Sequence, residues 1–457
     1  MRVLIVFVFL FSSFTIAVAY EALVGPTGVL KYDKTKAYDG YTLFAPVAKC
    51  KTIYLIDMEG NVVHKWDMGK PSITQSAVLL PNGNLLRNSW IRKGAATTIG
   101  GAAGLVQEID WDGKVVWEYK LWTPTEIQHH SFHRMPNGNT LLLAWEFKSL
   151  DDALAKGRKP NTFPTSVYDR GKHYYGFWSD FVREVDKKGK TVWEWHAWDH
   201  IGTGPNQLDI NYKLPDAVGG TYPNFDWSHF NSVRYIPESD QIILCSRNFS
   251  EFYLVNHKTG AIEWRWGNPS AYGQGEKPSW YDNGDQQLFG PHCVTYLGND
   301  RFLVFDNGSE RPEGNRSAIM EVNRKTGEIV WQYAAKDSSS FFSARSGGVQ
   351  RLPNGNSFVT SAGGGHLFEV TPSKKIVWDY VSPIHKGKPK CFLEDGDEHN
   401  KLNNFLFLAY RYGKHYPGLK GKDLSKKVPL TDCPEFWKLY NTNQAKKGRR
   451  IGRERNN

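Results

Sequence analysis

The residues able to do chemistry in this 457-residue chain are few: the pair His129-His130, His229 with Asn231 two positions later, Arg247 in CSRN, His292, and Asp306-Asn307 in FDNG. Imidazole is nucleophilic and neutral near pH 7, and it can also carry a proton. Guanidinium keeps its charge and offers a fork of N–H donors to an oxyanion. Histidines gathered beside one arginine therefore suit a tetrahedral anion such as sulfate or phosphate, bound by charge-assisted hydrogen bonds. Three histidines could also hold a transition metal, but the adjacent guanidinium would repel a cation, so no metal is expected. Strand alternation aims His229 and Asn231 at one side. Aromatic side chains in HYYGFW (173–178) and PSWYDNG (278–284) are expected to wall such a pocket.

These residues must be brought together by elements that repeat. One half-unit is a strand, a glycine turn and a strand ending in Trp-x-aromatic: LVQEIDWDGKVVWEY, FVREVDKKGKTVWEW, FYLVNHKTGAIEWRW, AIMEVNRKTGEIVWQY and HLFEVTPSKKIVWDY, with a variant copy, TIYLIDMEGNVVHKW, near the start. In register, His64, Trp117, Trp193, Trp264, Trp331 and Trp378 align, followed two residues on by Trp66, Tyr119, Trp195, Trp266, Tyr333 and Tyr380. The other half-unit is a hairpin whose turn is often PNGN, where Asn-Gly supplies positive φ angles. Paired half-units make four antiparallel strands, and radial repetition of such units is a β-propeller. Five units are complete. The orphan hairpin at 53–66 and an orphan strand pair around 403–413 complete each other, predicting an all-β, six-bladed propeller whose last blade is closed by both chain ends. The histidines and Arg247 then fall at equivalent ends of neighbouring blades, around one mouth of the central channel.

The expected organisation is a signal peptide over 1–19, an N-terminal extension over 20–50, the propeller over 51–413 and a C-terminal extension with a basic tail over 414–457. Arg2, the apolar run from Val3 and the Ala17-Val18-Ala19 triplet form the export pattern, so a periplasmic or secreted protein without stable membrane insertion is expected. Half of the net charge of +10 lies in the last twelve residues, which argues against a nucleic-acid partner. A chain 40% hydrophobic and 14% aromatic can bury a large core, and five cysteines cannot staple a disulfide miniprotein. Cys391 and Cys433 are the expected bridge, with Cys50 as another partner; five is an odd number, so at least one cysteine stays unpaired within the chain, and the pairing among Cys50, Cys245, Cys293, Cys391 and Cys433 is open. Asn248, Asn307 and Asn315 head N-x-S sequons, and a glycan on Asn307 would argue against catalysis.

The stretches KAYDGYTLFAP, TIYLIDMEGNVVHKW, HHSFHRMPNGNTLLL, HFNSVRYIP, SRNFSEFYLVNHKTGAIEWRWG and HCVTYLGNDRFLVFDNG resemble the bacterial PAPS-independent arylsulfate sulfotransferases over most of the mature chain. The resemblance implies a six-bladed propeller that moves a sulfuryl group from a phenolic sulfate ester to another phenol, through a transiently sulfated histidine and without a cofactor. It implies His292 as nucleophile, His229 and Arg247 as ligands of the sulfuryl oxygens, and His130 as the active member of the paired-His motif. His129, Asn231, Asp306 and Asn307 are expected to contact substrate. Partners would be aryl sulfates and phenols, with a homodimer open to the chain. The family often carries acids beside the paired histidines and the nucleophile, where this chain has Ser131, Pro291 and Cys293; that departure bears on the imidazole tautomers. Two rivals are a non-catalytic propeller binding an anionic or aromatic ligand or a protein, and a quinone-dependent dehydrogenase, which KTGAIEW and KTGEIVW resemble but which requires eight blades.

Overall fold

The computed structural model describes residues 25–430 except 48–49, 70–75, 92–98, 163–166, 170–171, 175, 213–225, 391 and 394–403. The expected signal peptide, the basic tail, Cys391, Cys433 and most of the 173–178 side chains lie outside the described residues. Cys50, Cys245 and Cys293 are buried free thiols, so Cys50 takes part in no bridge.

Each repeat folds as one sheet. Blade one is Ala77–Leu79, Leu85–Trp90, Gly104–Ile109 and Val115–Lys120; blade two is Glu126–Arg134, Thr140–Ser149, Gly176–Val185 and Thr191–His196. Blade three is Phe230–Ile236, Gln241–Ser246, Glu251–Asn256 and Ile262–Trp266; blade four is His292–Gly298, Arg301–Asp306, Ala318–Asn323 and Ile329–Tyr333. Blade five is Gly348–Arg351, Ser357–Ser361, His366–Val370 and Ile376–Val381. The first strands of blades two, three, four and five touch in succession around the axis, and that of blade two also meets the second and third strands of blade one. With the closing sheet, the fold is a six-bladed β-propeller.

The PNGN turns differ in one respect from expectation. Gly83, Gly138 and Gly355 have φ of 87°, 89° and 86°, while the asparagines before them are not left-handed. Each loop is thus a type I turn ending in a left-handed glycine, closed by bonds such as Gly83 N–H to the Leu80 carbonyl (2.9 Å) and Leu80 N–H to the Asn84 carbonyl (2.8 Å). The first asparagine side chain caps the turn: Asn82 Oδ1 accepts from Asn84 N–H at 3.0 Å.

The core is split among the blade interfaces, each filled by its own apolar cluster; Leu43, Leu55 and Trp66 of blade six, for example, meet Ala77, Leu85 and Ile109 of blade one. The aligned aromatics serve these interfaces. Their register is conserved through the fold, with His64 opposite Leu55, Trp117 opposite Glu108, Trp193 opposite Glu184 and Trp378 opposite Glu369. In five of the six interfaces an indole N–H donates to a carbonyl in the outer turn of the following blade: Trp66 to Asp110 (3.1 Å), Trp195 to Gly260, Trp266 to Gly327, Trp331 to Pro372 and Trp378 to Met58 (each 2.9 Å). Burying an indole leaves its donor to be satisfied, and the neighbouring turn does so. Between blades one and two, Tyr119 instead lies against Gly189.

The ring closes differently from the expectation. The segment expected to give a strand pair around 403–413 gives one strand, Leu406–Gly413, and it is the innermost of its sheet. The second strand is Gly40–Pro46, which had been expected in the N-terminal extension; Thr52–Ile56 and Asn61–Asp67 follow. Gly28–Tyr32 further extends the outer edge of blade five, and Val428–Pro429 that of blade six. Arg411 locks the join. Its Nε donates to Thr42 Oγ1 (2.8 Å) and its Nη1 to the Tyr38 carbonyl (3.0 Å), lies 3.3 Å from Glu369, and its guanidinium stacks on Trp378. Arg411 and Glu369 are both buried, and removing one member of a buried ion pair typically costs about 3–5 kcal/mol. Arg411→Met, which keeps the apolar stem, is expected to lose about that much stability in denaturant unfolding followed by tryptophan fluorescence. A loss below about 1 kcal/mol would mean that strand pairing alone closes the ring.

Candidate active site

The innermost strands of blades two, three and four share an irregular start. In blade two, Gln128 pairs with Ala144 and Phe132 with Leu142, so His129, His130 and Ser131 face a single partner position. Asn231 is the extra residue in blade three and Cys293 in blade four. Such bulges bend a strand and re-aim its side chains. His130, His229 and Cys293 have φ of 46°, 44° and 49°. Left-handed backbone costs a non-glycine residue about 1–3 kcal/mol and concentrates at functional sites. Here it recurs at one end of three neighbouring blades.

His292 is buried, and its Nδ1 lies 2.6 Å from Asn307 Oδ1. The Asn307 amide can face only one way, because its Nδ2 donates to the carbonyls of Ser343 (2.6 Å) and Ser346 (2.8 Å). Oδ1 is therefore an acceptor toward the ring, Nδ1 carries the hydrogen, and Nε2 keeps its lone pair. The Ser346 N–H points at that lone pair from 3.2 Å. Burial, opposed by the Asn307 bond and reinforced by His229 and Arg247, pushes His292 down to about 3. A neutral imidazole with an available Nε2 is the protonation state a nucleophile needs.

His130 is held from behind by a second chain of groups. Its Nδ1 is 2.8 Å from Nδ1 of His129, which stacks on Trp145 at 3.7 Å. On the far side of His129, Nε2 lies 2.9 Å from Asp180 Oδ1, off ideal hydrogen-bond alignment, and Asp180 Oδ2 accepts from Ser228 Oγ at 2.6 Å. Burial, with neighbouring histidines, holds both imidazoles well below their usual range, and burial, with the nearby Asp226, lifts the Asp180 carboxyl well above its own. A hydrogen on His129 Nε2, facing Asp180, would put the His130 hydrogen on Nδ1 and leave its Nε2 bare. Gly101 packs flat on this ring: a Cβ there would sit 1.8 Å from His130 Cε1, and the Gly101 carbonyl accepts the His130 N–H at 2.9 Å.

His229 is paired through Nδ1 with Asp226, and its ring lies 4.7 Å from that of His130. Asn248 holds the approach to this pair by donating to the Asp226 carbonyl at 2.7 Å. Arg247 N–H donates to the His229 carbonyl (3.0 Å), and its guanidinium bonds only the Asn248 amide oxygen (3.1 Å), with no carboxylate partner among the described residues. Three imidazoles and one uncompensated guanidinium thus share the channel mouth, an arrangement suited to an anion with several oxygens.

The structure gathers His130, His229, Arg247 and His292, with His129 behind His130. The other residues expected to touch substrate are held by the protein. Asp306 is fully buried, accepting the Phe289 N–H (2.6 Å) and pairing with Arg311 (2.5 Å). Burial raises its carboxyl to about 6. Asn307 backs His292, and Asn231 ties blade three to the residue before His292 by donating to the Pro291 carbonyl at 2.7 Å. Trp280 and Tyr281 are each 90% exposed on a turn and wall nothing. Sequence reasoning missed Asp180, Asp226, Trp145 and Gly101. Their only signals are a carboxylate in the otherwise apolar strand text FWSDFV and an aspartate three residues before His229. Asp180 supplies, from another strand, a carboxylate behind the paired histidines, where the sequence has Ser131; beside His292, where it has Pro291 and Cys293, the group in contact is the Asn307 amide.

Among curated relatives, the arylsulfate sulfotransferase AssT of Escherichia coli O6:H1 is 23% identical over 58% of this chain, and the chain spans about half of that protein's length (50%). Among solved structures, a protein of unknown function from Bacteroides caccae is 13% identical, covering 82% of this chain and 98% of its own, with a TM-score of 0.46. Virginiamycin B lyase from Staphylococcus aureus is 12% identical, covering 79% and 86%, with a TM-score of 0.39. The family model for arylsulfotransferase (ASST) matches residues 27–386, a span that contains every imidazole of the site, Arg247 and the groups that orient them, and the chain belongs to that family.

Proposed function

We propose that the protein transfers a sulfuryl group from a phenolic sulfate ester to a phenolic acceptor through a covalent intermediate on His292, without a nucleotide donor. The observation that carries this reading is the buried, neutral His292 with its Nε2 lone pair presented beside an uncompensated Arg247. Arg247 and His229 hold the sulfuryl oxygens, where charge accumulates in the transition state. Nε2 of His292 attacks sulfur and the aryloxide departs with the electrons of the broken S–O bond. As Nε2 bonds to sulfur, the Ser346 N–H it had accepted turns to a sulfuryl oxygen. The acceptor phenol then attacks the sulfated ring while His130 Nε2 takes its proton. Export to the periplasm or outside the cell belongs to the same proposal, supported by the residue pattern of 1–19.

The test is release of 4-nitrophenol from 4-nitrophenyl sulfate. Release is expected to depend on added phenol, and His292→Ala is expected to lower it at least about 10³-fold. Absence of release, or its survival in that variant, would favour a non-catalytic binding propeller. Arg247→Lys keeps the charge but loses the two-pronged geometry, with an expected loss of about 10²-fold. Because His292 gains a proton only near pH 3, the first-turnover burst is expected to persist between pH 7 and 5. A loss of more than about tenfold at pH 5 would contradict a neutral buried nucleophile.

A further inference from the structure

Two kinds of group stand behind the imidazoles. His229 is backed by a carboxylate, Asp226, which can take up a proton; His292 is backed by an amide oxygen, which accepts a hydrogen bond but no proton. The amide cannot turn over, since its nitrogen is engaged by the Ser343 and Ser346 carbonyls. The nearest carboxylate in sequence, Asp306, is committed to Arg311 and the Phe289 N–H and does not bond the ring. Among the described residues the His292 Nδ1 hydrogen therefore has no carboxylate acceptor; its other neighbour, the Gly290 carbonyl at 3.2 Å, takes up no proton either.

Resting on the sulfohistidine reading above, we propose that Asn307 is a positioning residue that keeps the Nδ1 hydrogen on His292 throughout the cycle, so that the sulfated ring stays protonated and reactive. In the donor step the Nε2 pair forms the N–S bond, the S–O(aryl) bond breaks, its pair leaves on the aryloxide, and Nδ1 loses nothing. The sulfated ring is then an N-sulfo imidazolium. In the acceptor step the phenol oxygen forms the new S–O bond, its proton passes to His130 and on to solvent, and the N–S pair returns to Nε2. The leaving group is a neutral imidazole, identical to the starting tautomer. A carboxylate in the place of Asn307 would draw the hydrogen away, and the ring would have to leave as imidazolate, a much poorer leaving group. The aspartates behind the other imidazoles suit proton transfer; the amide behind this one suits group transfer.

Asn307→Asp separates these possibilities. Wild type and variant are mixed with 4-nitrophenyl sulfate without acceptor and quenched over time, and sulfate on His292 is quantified by mass spectrometry alongside the 4-nitrophenol burst. The variant is expected to retain the burst while its sulfated form outlives that of the wild type at least about tenfold, with phenol-dependent turnover falling by a similar factor. A sulfated form as short-lived as the wild type's would overturn the proposal. Aspartate cannot donate to the Ser343 and Ser346 carbonyls, so a readout on unaltered protein accompanies the variant. In sulfated wild type labelled with ¹⁵N-histidine, the His292 Nδ1 resonance is expected to show a directly bonded hydrogen at pH 8, and its absence would equally overturn the proposal. No sulfate on His292 in the wild type would instead sink the sulfohistidine reading itself, and this inference with it.

Discussion

Six sheets close into a ring around one axis only if the last blade is tied to the first, and a single inner strand, Leu406–Gly413, makes that tie by pairing with Gly40–Pro46. The site depends on it. His130 comes from blade two, His229 and Arg247 from blade three, His292 from blade four and the Ser346 N–H from the entry to blade five. No blade contains a working subset, so the separations between these groups are set by the angle between neighbouring sheets. Ties at the mouth fix that angle locally: Ser228 to Asp180, Asn231 to the Pro291 carbonyl, and Asn307 to the Ser343 and Ser346 carbonyls. The same side chains that join the blades also orient the rings.

Electrostatically the mouth is built from unequal partners. Burial pushes the imidazoles of His130 and His292 toward the neutral form, and a third imidazole, His229, stands beside them. What distinguishes them is the group behind each: an amide, a second histidine leading to a carboxyl, or a carboxylate directly. Arg247 supplies positive charge without a carboxylate partner among the described residues, so the site carries a local field that an incoming anion can neutralise.

Much of this was legible in the sequence. The Trp-x-aromatic repeat announced the blades because each copy fills the same interface position, and the histidines and Arg247 stood out because they break the repeat at one strand end. The closing sheet was only half legible: Gly40–Pro46 carries no Trp mark, and its partner strand lies at the other end of the chain. Within the site, position along a strand was readable but the direction of a side chain was not. Asp306 and Asn307 sit at the expected end of blade four, yet one turns to Arg311 and the other to the back of His292. Asp180 could not be singled out, because its approach to His129 across the strands of blade two leaves no spacing in the sequence, and Asp226 carried only its offset of three residues from His229.

Closure from both ends also sets a schedule for folding. Thr42 and Arg411, which meet in the final sheet, are 369 residues apart. At synthesis rates of about 5–20 residues per second, the early strand waits roughly 20–70 s for its inner neighbour. Throughout that interval Gly40–Pro46 presents unpaired N–H and C=O groups beside an apolar face, the form in which β-strands recruit the wrong partner. A chain of this design has its greatest exposure to self-association in the moments before its last strand is delivered, and that hazard falls on the ring as a whole, since the first blade it spells is the last one it can finish.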